Sequence, residues 1–358
     1  MPADPLLLTP GPLTTAAATR EAATRDYGSR DPRFIALTAS VRKDLAAMSG
    51  LGDDATCIPL QGSGTSAVEA MLGSLLPPNG TLAVVVNGAY GARIAAIARR
   101  HGRAVREIRC PETQLPDLAE IAVALDDPEV SALATVHSET TTGLVNPIDA
   151  IAERAVASGK PLFVDAMSSF GVLPVPTSAT AVAASANKCL EGLPGVAFVL
   201  TRNATVAAAA GRSPSLTLDL NEQWARFERD GQWRFTPPTH VMAALAAALD
   251  GWRTEGGADA RLARYQANRH LLLAGLRELG FETLLPDAIC GPIIVTFLLP
   301  PELPFASFYD ALYARGFAIY PGKLTEADTF RVGCIGQVYP SDMRRFVYAV
   351  GEVSGRLT

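Results

Sequence analysis

The stretch Ser185-Ala186-Asn187-Lys188-Cys189 places a lysine among small side chains, 23 residues after Asp165. Asp165 closes an apolar run that begins at Pro161, and such a run predicts a buried strand. Further upstream, Gln61-Gly62-Ser63-Gly64-Thr65-Ser66 predicts a tight strand-to-helix turn with backbone N–H groups directed at an anion. One chain therefore offers an amine, a carboxylate and a phosphate cradle.

Pyridoxal 5'-phosphate requires these three groups. It needs a lysine that bonds to its aldehyde, an acid that keeps its pyridine nitrogen protonated, and amides for its phosphate. Each motif alone has another interpretation. Gly62, Gly64 and Ala67 also fit a dinucleotide fingerprint, although Asn87 stands where that site needs an acid. The glycines also suit an ordinary turn, and Asp165 could simply cap the turn that follows it.

The chain has only four lysines, so the candidates for the covalent bond are few. Lys160 lies in a polar turn, and Lys43 lies on a predicted amphipathic helix. Lys323, in Pro321-Gly322-Lys323, is the serious rival of Lys188. We favour Lys188 because burial among small residues lowers the pKa of an amine and frees it for carbonyl chemistry.

Composition limits the class of protein. A chain of 358 residues with 48% hydrophobic residues can bury one large and one small domain. Its net charge of −5 offers no basic surface for nucleic acid or an anionic membrane. Neither a signal peptide nor a run long enough to span a bilayer is found, so we predict a cytoplasmic protein. Five scattered cysteines predict neither disulfides nor a metal site.

Strand-like and helical stretches alternate from about residue 55 to 200, which predicts a mainly parallel sheet. The predicted strands are residues 56–60, 82–87, 132–138, 162–165 and 195–201. Ligands gather at the carboxyl ends of such strands, so we expect polar residues there to line one crevice. A helical segment, residues 240–279, leads to a smaller region of mixed strands and helices that predicts an α+β domain.

Several other side chains are candidates for binding. Tyr90 follows a strand end between glycines, where it could stack on a ring or pack beneath a loop. The hydroxyl-rich residues 137–143 could bind a ligand or form a plain turn. Arg331 and Gly333 lie on the same face of a predicted strand, where the glycine leaves room for an anion. This arrangement suits an arginine that binds a carboxylate, or simply a solvated arginine. Arg30 is a second candidate anion holder unless Asp31 neutralises it.

Blocks in the same order along nearly the whole chain resemble the class V aminotransferases of fold type I. The resemblance is closest to the branch that acts on 2-aminoethylphosphonate and pyruvate in phosphonate catabolism. The blocks are residues 8–15, 28–31, 61–64, 87–93, 137–143, 164–171, 185–189, 236–240 and 319–323.

The resemblance implies an α/β fold, with a mainly parallel seven-stranded sheet in the large domain and a small C-terminal α+β domain. Residues 1–15 would form an N-terminal segment near the active site, residues 16–250 the large domain and residues 251–358 the small one. It also implies pyridoxal 5'-phosphate, a homodimer with active sites at the interface, and amino transfer from 2-aminoethylphosphonate to pyruvate. The alternatives are an alanine:glyoxylate or serine:pyruvate transaminase and, in another class, a nicotinamide-dependent dehydrogenase.

The resemblance also implies a role for individual residues. The catalytic residues would be Lys188 and Asp165. The cofactor-binding residues would be Gly64, Thr65, Ser66, Tyr90, Thr141 (or Thr140), Asp165 and Lys188, with Thr236 or Thr239 reaching the phosphate across a dimer interface. The substrate-binding residues would be Arg331, Arg30 and Gly11.

The chain departs from the family pattern at two places. Residues 172–184 are a few residues shorter than expected, and their alanine-rich content replaces an expected apolar strand. Cys334 stands where the family pattern has asparagine, which is expected to affect the substrate more than the cofactor.

Overall fold

The computed structural model describes residues 4–322 and 328–356, so Lys323, the predicted rival lysine, lies outside the described residues. The strands are β1 (Leu6–Leu7), β2 (Ala55–Gly62), β3 (Thr81–Val86), β4 (Ala104–Arg109), β5 (Val130–Val136), β6 (Ser138–Glu139), β7 (Leu144–Val145), β8 (Leu162–Asp165), β9 (Ala181–Ser185), β10 (Gly195–Arg202), β11 (Ile294–Leu298), β12 (Phe317–Ala318), β13 (Tyr320–Pro321) and β14 (Thr329–Gly333). The helices are α1 (Ala17–Ala22), α2 (Pro32–Met48), α3 (Gly64–Leu75), α4 (Ala89–Arg100), α5 (Leu118–Leu125), α6 (Ile148–Ala157), α7 (Asn203–Ala207), α8 (Leu220–Asp230), α9 (Thr239–Glu255), α10 (Gly257–Glu278), α11 (Phe305–Ala314) and α12 (Pro340–Ser354).

Seven strands form the large sheet in the order β2-β10-β9-β8-β5-β3-β4. β10 runs antiparallel to both of its neighbours, and the other neighbouring pairs are parallel. Because β10 alone is reversed in this sheet, the carboxyl end of β2 lies at the same edge as those of β8 and β9. The predicted mainly parallel seven-stranded sheet is confirmed. Two apolar clusters cover its faces, one including residues of α2 and α6 and the other residues of α3 and α4.

The expectation that alanine-rich sequence replaces a strand before Ser185 is wrong. Residues 181–185 form β9, which is buried along its whole length between β8 and β10. A strand that is buried on both faces shows no apolar–polar alternation, and alanine has low strand propensity, so the pattern hides it. Ala181 and Ala183 pack in the same cluster as Ala67 and Met71 of α3. Their small side chains let α3 lie close to the sheet.

The small domain is built on the antiparallel sheet β11-β14-β13. Its core contains apolar residues of α10, α11 and α12 and also Leu8 from the N-terminal segment. β1 pairs in parallel with β12, so residues 6–7 of the N-terminal segment lie on this domain. The predicted helical segment is two helices, α9 and α10, which meet at Gly256 in a left-handed conformation (φ +109°). The predicted domain boundary at residue 250 falls inside α9.

Among the helices of the described residues, none combines the length and the apolar content that crossing a membrane requires.

Candidate active site

A cavity of about 400 Å³ opens at the carboxyl edge of the large sheet. Gly64 and Thr65 line it from the start of α3, Tyr90 from α4, Asp165 from the end of β8, and Lys188 from the turn after β9. We call it the lysine cavity. Strands that run in one direction end at one edge, which is why residues far apart in sequence meet here. Five of the predicted site residues therefore line one cavity.

Lys188 contacts the N-terminal segment. Its Nζ donates to the backbone carbonyl oxygens of Pro10 (2.8 Å) and Gly11 (3.4 Å). Gly11 has a φ of +115°, and a Cβ there would lie 2.6 Å from both Asn187 O and Lys188 Cδ. Only glycine permits this approach. Gly11, predicted to bind substrate, thus lies against the predicted reactive amine.

Asp165 is a buried carboxyl group that suits a bound cation. Its Oδ1 accepts a hydrogen bond from the backbone N–H of Met167 (3.0 Å). Burial raises the pKa of Asp165 to about 6, and the N–H of Met167 and the charges of Lys188 and Arg93 offset this only in part. A cation bound against the carboxylate would favour its ionised form. A protonated ring nitrogen is such a cation.

The phosphate cradle, residues 61–66, ends at α3. Ser63 precedes this 12-residue helix, and its side chain makes no capping hydrogen bond. The amides of the first turn therefore lie at a positive helix end without a side-chain cap. A Cβ at Gly62 would lie 2.6 Å from Ser66 Oγ, and one at Gly64 would lie 2.5 Å from Met167 Sδ. The amide of Ser66 is used within the turn, where it donates to Ser63 O (2.9 Å).

Glu139 is a buried carboxyl group beneath Tyr90 that sequence reasoning did not assign. It accepts hydrogen bonds from the backbone N–H of Gly91 (2.9 Å) and Tyr90 (3.4 Å) and from the Thr141 hydroxyl (3.4 Å). Burial raises the pKa of Glu139 to about 7. Thr141 thus contacts Glu139, whereas Ser138 lines the cavity with a buried Oγ that has no hydrogen-bond partner among the described residues. In the sequence, Glu139 could have been noticed as the acidic residue among the hydroxyl-rich residues 137–143.

Arg331 is buried, and the residues that line the lysine cavity do not include it. Its Nη1 donates to Thr140 O (2.7 Å) and its Nε to Pro321 O (3.0 Å). These bonds connect β14 of the small domain to the loop that carries Thr141. Its hydrogen-bond partners in the described part of the chain are carbonyl groups, so the positive charge is not neutralised there. Burial lowers the pKa of this guanidinium.

Arg30 and Thr236 lie elsewhere. They line a second pocket, of about 360 Å³, together with Arg226, Arg234 and Trp233. We call it the arginine pocket. Both predicted residues are exposed, and the residues that line the lysine cavity do not include them. Thr239, the first residue of α9, lines neither pocket. A single chain does not bring these three residues to Lys188.

A charged cluster fixes the turn that follows Lys188. Glu191 has a φ of +60° and is buried, and its N–H donates to Lys188 O (2.8 Å). Its carboxylate accepts hydrogen bonds from Arg264 (2.7 Å), Tyr265 (2.6 Å) and Gln337 (2.6 Å). Arg264 and Tyr265 belong to α10, and Gln337 follows β14. The turn is therefore held by residues beyond the large sheet.

Comparison with known proteins identifies the family. The model of the family described as "Aminotransferase class-V" matches residues 16–322. The chain belongs to the class V aminotransferases. It is 52% identical over 354 residues to the 2-aminoethylphosphonate–pyruvate transaminase of Burkholderia thailandensis, an alignment that covers 97% of this chain and 96% of that one. It is 48% identical to the protein of that name from Rhizobium meliloti, covering 98% and 93%.

Solved structures agree with this assignment. The pyridoxamine-pyruvate aminotransferase of Mesorhizobium loti superimposes with a TM-score of 0.90 at 26% identity, covering 99% of this chain and 93% of that one. The alanine–glyoxylate aminotransferase of Nostoc gives a TM-score of 0.90 at 25% identity, covering 99% and 96%. This class V aminotransferase therefore has the fold type I architecture that its sequence resembles.

The cofactor of this class V aminotransferase is pyridoxal 5'-phosphate. The residues present fit it. Asp165 offers a buried carboxylate for a cationic nitrogen, the start of α3 has no side-chain cap on its N–H groups, and Ser138 Oγ is a buried polar atom on the cavity wall. The alternative of a nicotinamide-dependent dehydrogenase is wrong for this chain, because the chain belongs to the class V aminotransferases.

Proposed function

We propose that this protein transfers the amino group of 2-aminoethylphosphonate to pyruvate, giving phosphonoacetaldehyde and alanine. The observation that carries the reaction type is the meeting of Lys188, Asp165 and the phosphate cradle in one cavity. The choice of substrates is supported by relatives with that printed activity, which are 52% and 48% identical over almost the whole chain.

When bound, pyridoxal 5'-phosphate supplies an aldehyde that takes up the amino group and a ring that accepts electrons. In our proposal Lys188 holds the cofactor through Nζ and then moves a proton from the carbon that bears the substrate's amino group. Asp165 holds the proton on the ring nitrogen. Gly64, Thr65 and Ser66 bind the phosphate, Tyr90 lies against the ring, and Thr141 or Thr140 orients the ring hydroxyl.

Arg331 is proposed as the arginine that serves both substrates. Pyruvate carries a carboxylate and 2-aminoethylphosphonate a phosphonate, so one anion site must accept either group. A guanidinium can bind each of them with two parallel hydrogen bonds. Arg331 is already held by Thr140 O and Pro321 O, and these bonds restrict its orientation.

We also propose a homodimer in which the arginine pocket of one chain completes the lysine cavity of the other. The separation of Arg30 and Thr236 from Lys188 supports this arrangement, since residues of one predicted site lie in two places on one chain. Thr236 or Thr239 would reach the cofactor phosphate of the partner, and Arg30 the phosphonate. The cytoplasmic location stays a prediction from sequence.

The second candidate function is an alanine:glyoxylate transaminase, favoured by the structural match to the Nostoc enzyme. The experiment measures kcat/KM of the wild-type protein for 2-aminoethylphosphonate with pyruvate and for alanine with glyoxylate. We expect the phosphonate pair to react faster. Faster turnover of alanine and glyoxylate would overturn the phosphonate assignment and support the second candidate.

A further inference from the structure

We propose that Arg93 is a phosphate-binding residue, whose guanidinium pairs with the phosphate of the bound cofactor. The inference deepens the proposed function and concerns the same cavity. The phosphate cradle, residues 61–66, has no cationic side chain of its own. The cradle offers neutral donors to a group that carries up to two negative charges, namely backbone amides and the hydroxyls of Thr65 and Ser66. Three charged side chains line the lysine cavity, namely Arg93, Asp165 and Lys188.

Two of these three charges have other tasks. Lys188 makes the covalent bond in the proposed reaction, and its Nζ is held at Pro10 O on the side of the N-terminal segment. Asp165 is an anion and would repel a phosphate. Arg93 is therefore the cation of the cavity wall that remains for the phosphate.

The position of Arg93 agrees with this role. Its Nη1 lies 3.2 Å from the hydroxyl oxygen of Thr65, the second residue of α3. Arg93 lies one turn after Tyr90 on α4, and its Cζ lies 4.9 Å from the centre of the Tyr90 ring. Residues three apart on a helix share a face, so the guanidinium is held between the ring and the cradle.

The charge of Arg93 is not neutralised by an ion pair within residues 4–322 and 328–356. The contacts of its guanidinium there are the Thr65 hydroxyl and the Tyr90 ring. By contrast, Arg99 on the same helix pairs with Glu107. The charge of Arg93 also lowers the pKa of Asp165. Both the phosphate and the ionised carboxylate would therefore benefit from this cation.

The test titrates cofactor-free protein with pyridoxal 5'-phosphate and, separately, with pyridoxal, which lacks the phosphate. Binding is followed by the visible absorbance of the bound ligand. Arg93→Met is expected to weaken pyridoxal 5'-phosphate by about tenfold or more, because a charge-assisted hydrogen bond is lost. Pyridoxal binding should change little, and Arg93→Lys should keep part of the affinity. Arg100→Met, an exposed arginine on the same helix, is the matched control.

Three outcomes would overturn the proposal. An equal loss for both ligands would assign Arg93 to packing against Tyr90, and an unchanged affinity for both would remove it from the cofactor site. A rise in KM for 2-aminoethylphosphonate with unchanged cofactor affinity would assign it to the substrate instead. Circular dichroism of each cofactor-free variant establishes that it is folded. The titration contains no amino donor, so its failure is distinct from failure of the proposed substrate assignment.

Discussion

The lysine cavity and the arginine pocket carry residues of one predicted site, yet they are built differently. The ends of buried strands and the start of α3 form the lysine cavity, where Asp165 is buried and Lys188 donates a hydrogen bond to the backbone carbonyl oxygen of Pro10. The arginine pocket is lined by exposed side chains such as Arg30 and Thr236. Groups that perform chemistry need a fixed geometry and a dry environment. Groups that complete a neighbouring site must instead be accessible to another chain.

The largest expected effect tests whether the lysine cavity performs the chemistry. Lys188→Ala should abolish turnover and the visible absorbance of bound cofactor, because Lys188 is the one amine among the described residues that line the cavity and would both bond to the aldehyde and move the proton. Lys323→Ala should keep both and serves as the control. The reverse result would give the reactive amine to Lys323.

Asp165→Asn should keep the cofactor bound but slow the first half-reaction by several orders of magnitude. A neutral amide does not hold the ring nitrogen protonated, so the ring accepts electrons less well. Stopped-flow absorbance measures the rate. Asp149→Asn, an exposed residue on α6, is the control. A normal rate in Asp165→Asn would remove this residue from its role.

Arg331→Lys should lower kcat/KM for both substrates by roughly tenfold to a hundredfold, since an ammonium does not reproduce the two-bond fork of the guanidinium. Steady-state kinetics with each substrate varied in turn measures this. Arg315→Lys, on the surface of the small domain, should have no effect. If only the phosphonate reaction suffers, the shared anion site is disproved.

Arg30→Ala should weaken the binding of 2-aminoethylphosphonate by about tenfold, and that of pyruvate less, because a second cation stabilises a dianion most.

Mixing Arg30→Ala with Lys188→Ala sharpens the comparison of the two pockets. A mixed dimer has one cavity with an intact Lys188 and an intact Arg30 from the partner. Its activity should exceed the sum of the two separate variants. Activity no greater than that sum would place Arg30 in the site of its own chain.

The smallest expected effect concerns stability. Burial raises the pKa of Glu139 to about 7 in the folded protein, whereas an unfolded chain releases that proton near the ordinary glutamate pKa of 4.5. The folded state thus binds more protons in this range, so the free energy of unfolding of the cofactor-free protein should fall as pH rises, by about 3 kcal/mol. Urea denaturation at several pH values measures it. In Glu139→Gln the free energy of unfolding should fall less over the same pH range. A fall equal to that of the wild type would exclude Glu139 as the cause.

Residues whose spacing has a chemical reason could be selected from sequence, and the structure brings them together in one cavity. Lys188, Asp165 and Gly64 were assigned because a covalent amine, a ring acid and a phosphate cradle have recognisable neighbours in sequence. β9 was missed because a strand of alanines has neither alternation nor high strand propensity. The position of Glu139 and the role proposed for Arg93 depend on contacts between elements, with Tyr90 and Thr65, that no local pattern records.

The cluster around Glu191 has a consequence for how the protein unfolds. Its carboxylate belongs to the turn after Lys188, but its hydrogen-bond donors come from α10 and from Gln337. Removing those donors would leave a buried charge without compensation, which is strongly destabilising. A chain cut before residue 251 would lose them all. Both domains should therefore melt in a single cooperative transition, and the large sheet with Lys188 would not survive as an independent fragment.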